Sequence, residues 1–355
     1  MLELMEVRSG SSPTYSFVVP ICNEEQTLPE LGRRLAAVLD RLDAPGEVIF
    51  VDDGSEDRSL ELMADLNARD PRFRIVELSR NFGHQLAITA GLDVASGDAV
   101  VVMDGDLQDP PEVALEMIDR WREGFDVVYA IREARDGEPF LRKLRAAAFY
   151  RVLRRLTDAD IPVDVGDFRL VDRRALDTFR AMRERNRYIR GMFSWIGFRQ
   201  TGVPFRRAER YAGSTKYPLR KLAKLAADGM LSFSNAPLRL ALKLGFLISI
   251  GSFLLGAGAI VAKAAGLYEV HGLASLAVMV SFLGGMQLVI LGVLGEYIGR
   301  IHDEVKGRPL YVVNHMVGLE SSLPVEERVI RGGPETIEQH PPEPRRAANG
   351  RRVPA

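Results

Sequence analysis

Two long apolar segments near the carboxyl end constrain the fold of this chain more than any other feature. Residues 244–262 and 273–295 contain no charged side chain. Each is long enough to cross a bilayer, because a helix needs about 20 residues to span the ~30 Å hydrocarbon core. We predict a transmembrane hairpin over residues 236–300, with helices at about 244–262 and 273–298. The alternative is a pair of helices buried in a soluble core.

Basic residues flank this predicted hairpin unevenly. The connection at 263–272 carries one basic residue, Lys263. The flanks carry five: Arg239, Lys243, Arg300, Lys306 and Arg308. The positive-inside rule therefore places both ends of the hairpin in the cytoplasm, and residues 301–321 are predicted to form a cytoplasmic return segment. Gly295-x-x-x-Gly299 is a pattern that allows close helix packing, either within the chain or between subunits.

Ahead of the hairpin, short apolar runs alternate with amphipathic helices. Runs rich in β-branched and aromatic residues are typical of buried strands, and four are found at 15–20, 48–51, 73–78 and 99–103. Helices are predicted between them, at 28–39, up to about 67 and at 85–95. This alternation predicts an α/β domain with a doubly wound sheet, which we place at residues 14–235.

Carboxylates collect where the predicted strands end. Asp52 and Asp53 follow the second strand, and Asp104, Asp106 and Asp109 follow the fourth. Ligands of open parallel sheets bind at this edge, so the Asp104-x-Asp106 spacing predicts an oxygen platform for a divalent cation that holds a diphosphate. Asp52 and Asp53 are suited to accept hydrogen bonds from a ribose or a base. The plainer alternatives are an acidic loop capped by Asp109 and a turn at Asp52-Asp53.

Charge is balanced overall but segregated along the chain. The formal net charge of -1 gives no reason to expect nucleic acid as a partner. Basic, amphipathic sequence predicts interfacial membrane helices at about 140–156 and 216–235, although a charge-rich helix face is more often simply solvated. The single Cys22 fits a reducing compartment. Residues 1–13 are predicted to be a polar leader without a signal peptide, and residues 322–355 a disordered tail.

Six ordered motifs, together with the hairpin, resemble one family. They are VPICNEE at 19–25, VDDGS at 51–55, SRNFG at 79–83, DGDLQDPP at 104–111, GDFRL at 166–170 and GEYIGR at 295–300. Across about residues 14–320 the chain resembles the polyprenyl-phosphate glycosyltransferases of glycosyltransferase family 2, the dolichol-phosphate-mannose-synthase-like enzymes. Within that family it is most similar to bacterial two-span undecaprenyl-phosphate glucosyltransferases. The resemblance implies a GT-A (Rossmann-like) catalytic domain in the bacterial cytoplasmic (inner) membrane, with that domain and both termini cytoplasmic.

The resemblance and the strand-end acids together assign roles to single residues. The nucleotide sugar would be bound by Pro20, Glu24, Asp52, Asp53, Asp104 and Arg132. Mg²⁺ or Mn²⁺ would be held by Asp104, Asp106 and Gln108, and the acceptor phosphate by Arg132, Arg142 and Lys216. Asp167, with Asp106, would be catalytic.

Two of these assignments stay open at the level of sequence. Asp167 either removes a proton or orients the acceptor, and in the absence of the resemblance it would be interpreted as a helix cap or a partner of Arg169. His84 is not assigned to the site, because a single histidine at a helix start is more often a capping or solvent-facing residue.

The resulting hypothesis is an inverting transfer of a hexose, with glucose from UDP-glucose favoured, onto undecaprenyl (polyprenyl) phosphate at the cytoplasmic membrane face. The product would be a lipid-linked sugar donor for surface glycan modification. GDP-mannose, UDP-N-acetylhexosamine and a UDP-aminopentose are alternative donors, and a noncatalytic membrane scaffold is an alternative of another class. A processive synthase is disfavoured, because the chain has no Gln-x-x-Arg-Trp motif. The expected partners are the nucleotide sugar, the lipid phosphate, the membrane and further copies in a homo-oligomer, with a tetramer as one option.

Overall fold

The computed structural model describes residues 14–132, 165–207, 236–265 and 273–319. Within these residues, eight strands form one sheet in the order β7-β5-β6-β4-β1-β2-β3-β8. The strands are β1 (Tyr15–Ile21), β2 (Gly46–Asp52), β3 (Phe73–Leu78), β4 (Ala99–Val102), β5 (Val127–Arg132), β6 (Val165–Asp172), β7 (Gln200–Phe205) and β8 (Val313–Val317). The predicted leader, both predicted interfacial helices and the predicted tail lie outside the described residues.

Four parallel strands form the half of the sheet that the sequence pattern predicts. β1 pairs in parallel with both β2 and β4, and β2 pairs in parallel with β3. All seven residues of β1 are buried, as are all four of β4. Strands covered on both faces carry nearly continuous apolar runs, which is why these four are visible in the sequence. The predicted α/β class and the positions of these strands are confirmed.

An antiparallel strand, β6, separates β4 from β5. It pairs antiparallel with both neighbours, and β7 then pairs in parallel with β5 at the edge of the sheet. The sequence pattern did not predict this insertion. Because β6 runs against β4, its early residues lie beside the end of β4, and Arg169 is the partner of Val102. Asp167 therefore lies at the edge of the sheet where the loop after β4 begins. We call this loop, which carries Asp104, Asp106 and Asp109, the acidic loop.

The predicted return segment contains a strand of the catalytic sheet. β8 pairs antiparallel with β3 at the edge opposite β7. The Ser79 backbone N–H donates a hydrogen bond to the Val312 carbonyl at 2.9 Å. The Tyr311 hydroxyl donates another to Asp93 at 2.8 Å. The chain that follows the second apolar helix is thus joined to the α/β domain by the sheet and by a buried side chain.

Eight helices are described. They are α1 (Leu28–Leu39), α2 (Ser59–Arg69), α3 (His84–Val94), α4 (Val113–Arg122), α5 (Arg173–Ala181), α6 (Ile189–Trp195), α7 (Ala236–Ala264) and α8 (Leu273–Val305). The first shows how the helices before the apolar pair cover the sheet. Its residues Leu28, Leu31 and Leu35 are fully buried, and their spacing places them on one helical face.

The two apolar helices, α7 and α8, are exposed along most of their length. Their most apolar parts, Ala241–Ala264 and Val278–Val305, have mean hydropathies of 2.2 and 2.1, and their most hydrophobic stretches contain no buried residue. Large side chains such as Leu242 and Phe253 are 74% and 77% exposed. The alternative of two helices buried in a soluble core is therefore wrong. Their length and composition are those of helices that cross a bilayer.

Both helices extend beyond the predicted spans. α7 begins at Ala236, ahead of the first charge-free segment, and α8 continues to Val305, past the second. A Cβ at Gly295 or Gly299 would meet nothing within 4 Å. These glycines therefore do not pack against a described part of this chain, and their use between subunits stays a prediction.

Candidate active site

The loop after β4 carries its acids at the carboxyl edge of the parallel strands. Gly105 lets this loop approach β1 closely, because a Cβ there would lie 2.6 Å from the Ile21 Cδ1 atom. Leu107 is 3% exposed and has φ 59°, in the left-handed region that non-glycine residues rarely adopt. Packing fixes the loop in this conformation, so the acids on either side of Leu107 are held in defined positions.

The three residues predicted to hold a divalent cation lie on this one loop. Asp104 Oδ1 is buried and accepts no hydrogen bond from the described residues, whereas Asp106 Oδ1 accepts one from the Gln108 backbone N–H at 3.1 Å. Within the described ranges, no group of three or more His, Cys, Asp or Glu side chains is arranged to hold a metal. Mg²⁺ is commonly bound by one or two carboxylates together with substrate phosphates. The oxygen donors of this loop fit an ion that a diphosphate would help to coordinate.

Asp167 lies near the start of β6, and its side chain is 4% exposed. Arg190, in the first turn of α6, donates to it from Nε to Oδ1 at 2.9 Å and from Nη2 to Oδ2 at 3.1 Å. The Gln85 amide donates a longer hydrogen bond at 3.3 Å. Burial alone would raise the pKa of Asp167, but Arg190 and His84 outweigh it and hold the pKa well below its usual range. Such a carboxylate is better suited to orient its neighbours than to accept a proton.

The pair that Asp167 forms is with Arg190 and not with Arg169. The Arg169 guanidinium donates instead to the backbone oxygens of Asp167 and Gly166, at 3.3 and 3.0 Å. The alternative of a simple Asp167–Arg169 pair is therefore wrong. Arg190 itself was missed, since its sequence context carries no motif.

His84, at the start of α3, contacts both acids of the site. Its Nε2 atom lies 3.3 Å from Asp104 Oδ1 and 3.3 Å from Asp167 Oδ2. Burial lowers the pKa of His84, but the two carboxylates more than offset this effect and the pKa is raised. The side chain remains 45% exposed and is open to a ligand. The interpretation of His84 as a capping or solvent-facing residue missed this contact, and its position directly after the motif at 79–83 was the available signal.

Three of the residues predicted for the nucleoside pocket accept hydrogen bonds from nearby loops and turns. Asp53 accepts hydrogen bonds from two backbone N–H groups of residues 82 and 83, at 2.7 and 3.0 Å. Asp52 accepts one from a backbone N–H within its own turn at 3.2 Å, and Glu24 accepts one from a threonine hydroxyl at 2.9 Å. Pro20 is buried within β1. The turn interpretation accounts for the Asp52 contact, but the Asp53 carboxylate binds the separate loop at residues 82 and 83. Direct contact of either aspartate with a nucleotide stays a prediction.

Two arginines and a third acid complete this edge. Arg132 ends β5, and its Nη2 atom is 4.0 Å from Asp109 Oδ1. Arg207 follows β7 and lies within electrostatic reach of Arg132 and Asp109.

Asp109 is 0% exposed, and burial with the nearby Asp104 raises its pKa to about 7. It is not the helix cap, because α4 has Glu112 at that position and no side-chain capping bond. The predicted phosphate ligands Arg142 and Lys216 lie outside the described residues.

Comparison with known proteins identifies the family. Residues 16–180 match the family described as Glycosyl transferase family 2. A Bacillus subtilis (strain 168) protein named uncharacterized glycosyltransferase YkcC is 50% identical over 307 residues, which are 86% of this chain and 95% of that protein. This chain belongs to glycosyltransferase family 2.

Two further proteins are similar to this family 2 glycosyltransferase. The SfII prophage-derived bactoprenol glucosyl transferase of Shigella flexneri is 40% identical over 298 residues, 84% of this chain and 96% of that protein. A solved structure of glucosyl-3-phosphoglycerate synthase from Mycobacterium tuberculosis, with Mn²⁺, UDP-glucose and phosphoglyceric acid, is 19% identical and covers 62% of this chain and 79% of that one, with a TM-score of 0.42. Family membership and the mixed eight-stranded sheet confirm the predicted family and GT-A fold. The glycosyltransferase is an enzyme, so the alternative of a noncatalytic scaffold is wrong.

Proposed function

We propose that this glycosyltransferase moves glucose from UDP-glucose onto undecaprenyl phosphate at the cytoplasmic membrane face, making a lipid-linked sugar for surface glycan modification. One observation carries the proposal: the acidic loop and Asp167 meet at a single edge of the sheet, in a chain that also has two exposed apolar helices. Relatives named bactoprenol glucosyl transferase, 40% identical over 84% of this chain, support the acceptor and the sugar.

The donor would be held at the acidic loop. Asp104, Asp106 and Gln108 would bind Mg²⁺ or Mn²⁺, which would neutralise the charge that develops on the leaving diphosphate. Arg132, at the end of β5, offers a guanidinium fork that matches phosphate oxygens. Pro20, Glu24, Asp52 and Asp53 would line the nucleoside end of the donor.

The acceptor supplies its own nucleophile. With a second pKa of about 6, a lipid monophosphate is mostly doubly charged near neutral pH, so no strong base is needed. One of its oxygens attacks C1 of the sugar on the face opposite the diphosphate. The bond from C1 to the diphosphate oxygen breaks, its electron pair leaves with UDP, and the configuration at C1 inverts. Asp167, kept ionised by Arg190, would orient His84 and the acceptor without removing a proton.

The apolar helices would bring the lipid to this edge. α7 and α8 have the length of membrane spans. The positive flanks support a cytoplasmic position for the catalytic domain and both termini. The Arg185 backbone N–H donates to Glu304, near the end of α8, at 2.7 Å. The loop that leads to Arg190 thus contacts the end of the second span. The basic residues Arg142 and Lys216 would meet the lipid phosphate, and association into a homo-oligomer stays part of the proposal.

A donor panel tests the proposal. Purified full-length protein would be given a short polyprenyl phosphate and one radiolabelled donor at a time: UDP-glucose, UDP-N-acetylglucosamine, a UDP-aminopentose or GDP-mannose. Label should enter the lipid from UDP-glucose with Mg²⁺ or Mn²⁺, and EDTA should abolish it. Asp106→Asn should lose transfer, whereas Asp119→Asn, at a side chain that is 71% exposed on α4, should retain it. Transfer from a different single donor would overturn the glucose assignment, and transfer from none would overturn the proposed reaction.

A further inference from the structure

A fully buried carboxylate lies at the back of the acidic loop without a hydrogen-bonding partner. Neither carboxylate oxygen of Asp109 accepts a hydrogen bond within the part of the chain that the structure describes, and the side chain is 0% exposed. With its pKa raised to about 7, this carboxylate is partly ionised near neutral pH, and its ionised form depends on a positive charge nearby. The Arg132 Nη2 atom lies 4.0 Å from Asp109 Oδ1, too far for a hydrogen bond.

The two arginines beside this carboxylate also have unused donors. The Nε atoms of Arg132 and Arg207 are both buried, and neither donates a hydrogen bond among the described residues. The two side chains come from neighbouring strands, because Arg132 pairs with Phe205 in the β5–β7 register and Arg207 lies two residues further on. Both guanidinium groups lie within electrostatic reach of Asp104 and Asp109.

The Arg132 and Arg207 guanidinium groups repel each other, and an anion bound near both would relieve this repulsion. Asp109 provides the buried counter-charge, but at 4.0 Å it leaves the guanidinium donors free for another anion. The chain also leaves room for this arrangement: a Cβ at residue 166 would lie 2.7 Å from the Arg132 Nη2 atom, and residue 166 is glycine. Arginine forks match phosphate oxygens, and a diphosphate offers enough oxygens for two forks.

We propose that Arg207 is a second diphosphate-binding residue, which acts with Arg132 over the buried Asp109 to hold the leaving diphosphate of the donor. This inference rests on the proposed function, since it places the donor at the acidic loop. The inference assigns Arg207 to the donor diphosphate and not to the acceptor phosphate. The acceptor carries a single phosphate, which must approach from the opposite face of the sugar.

Calorimetric titration of the full-length protein in detergent, with Mg²⁺ present, tests this assignment. UDP, GDP and the matching monophosphates would be titrated into the wild type, Arg207→Gln, Arg207→Lys and the control Arg120→Gln, whose side chain is 46% exposed on α4. We expect Arg207→Gln to raise the Kd of the diphosphate by at least about tenfold, because charged hydrogen bonds are lost. Arg207→Lys, which keeps the charge but not the fork, should fall between Arg207→Gln and the wild type. The monophosphate Kd and the KM for a short polyprenyl phosphate should change by less than about twofold.

Each other outcome has a distinct meaning. An unchanged diphosphate Kd in Arg207→Gln, with wild-type binding intact, would overturn the inference and leave the proposed function standing. A raised acceptor KM with an unchanged diphosphate Kd would assign Arg207 to the lipid phosphate and overturn the inference as well. A wild-type protein that binds neither UDP nor GDP would overturn the proposed function and the inference together. A loss of thermal stability in Arg207→Gln, with equal weakening of both nucleotide classes, would assign Arg207 a structural role and overturn the inference.

Discussion

Replacing Arg190 with glutamine should test two roles of this side chain. It should show how much Arg190 stabilises the fold, and whether it keeps Asp167 ionised during transfer. The change removes a guanidinium that makes two hydrogen bonds, at 2.9 and 3.1 Å, to a carboxylate that is 4% exposed. Removing one partner of a buried pair costs about 3 to 5 kcal/mol, because the other charge is left uncompensated. Arg190 is itself 30% exposed, so we take the lower end, about 3 kcal/mol.

This loss should be visible in thermal unfolding. For a domain of this size about 1 kcal/mol shifts the midpoint by 2 to 4 °C, so Arg190→Gln should unfold roughly 6 to 12 °C below the wild type. The matched control is Arg33→Gln, since Arg33 is 68% exposed and pairs with Glu30 on the surface of α1. A solvent-exposed ion pair adds little stability, so this control should unfold close to the wild type.

The same variant should change how the rate depends on pH. Arg190 holds the pKa of Asp167 far below its usual range, so the wild type should show no loss of transfer through Asp167 protonation between about pH 5 and pH 8. Without Arg190, burial is no longer offset and the pKa rises, so transfer by Arg190→Gln should fall as the pH is lowered. If Arg190→Gln unfolded like the control and its rate depended on pH as that of the wild type does, the proposed role of the Asp167–Arg190 pair would be refuted.

Three further substitutions test other contacts. His84→Gln should lower transfer by about 10- to 100-fold while nucleotide binding persists, because His84 supports both acids; an unchanged turnover number would contradict this role. Gly166→Ala should weaken diphosphate binding with little change in unfolding temperature, since the new methyl group displaces only the flexible end of Arg132; calorimetry that found wild-type affinity would show that the position of Arg132 is unimportant. Tyr311→Phe should lower stability by about 1 kcal/mol through loss of the hydrogen bond to Asp93, and a midpoint equal to that of the wild type would argue against it.

The parts of the fold that could be predicted from sequence are those encoded locally. β1 and β4 are continuous apolar runs because both faces are covered, and the acids that follow β4 mark the strand end. The apolar helices α7 and α8 are equally visible, since membrane-length segments without charge are rare in soluble proteins.

The parts that escaped prediction depend on contacts between distant residues. The position of β6 between β4 and β5 depends on pairing across the intervening chain, and no local pattern records that pairing. The contacts of His84 and Arg190 with Asp167 follow from that insertion. β8 is short and lies in a segment whose sequence gives no strong strand signal, so its pairing with β3 was not predicted.

The central claim is that the acidic loop after β4 binds the metal and the donor diphosphate. The most direct measurement is anomalous X-ray diffraction from crystals of the full-length protein grown with Mn²⁺ and UDP. The account predicts an anomalous peak coordinated by Asp104 or Asp106, with the diphosphate between that ion and Arg132. A peak at another place, with both carboxylates contacting neither metal nor nucleotide, would contradict it.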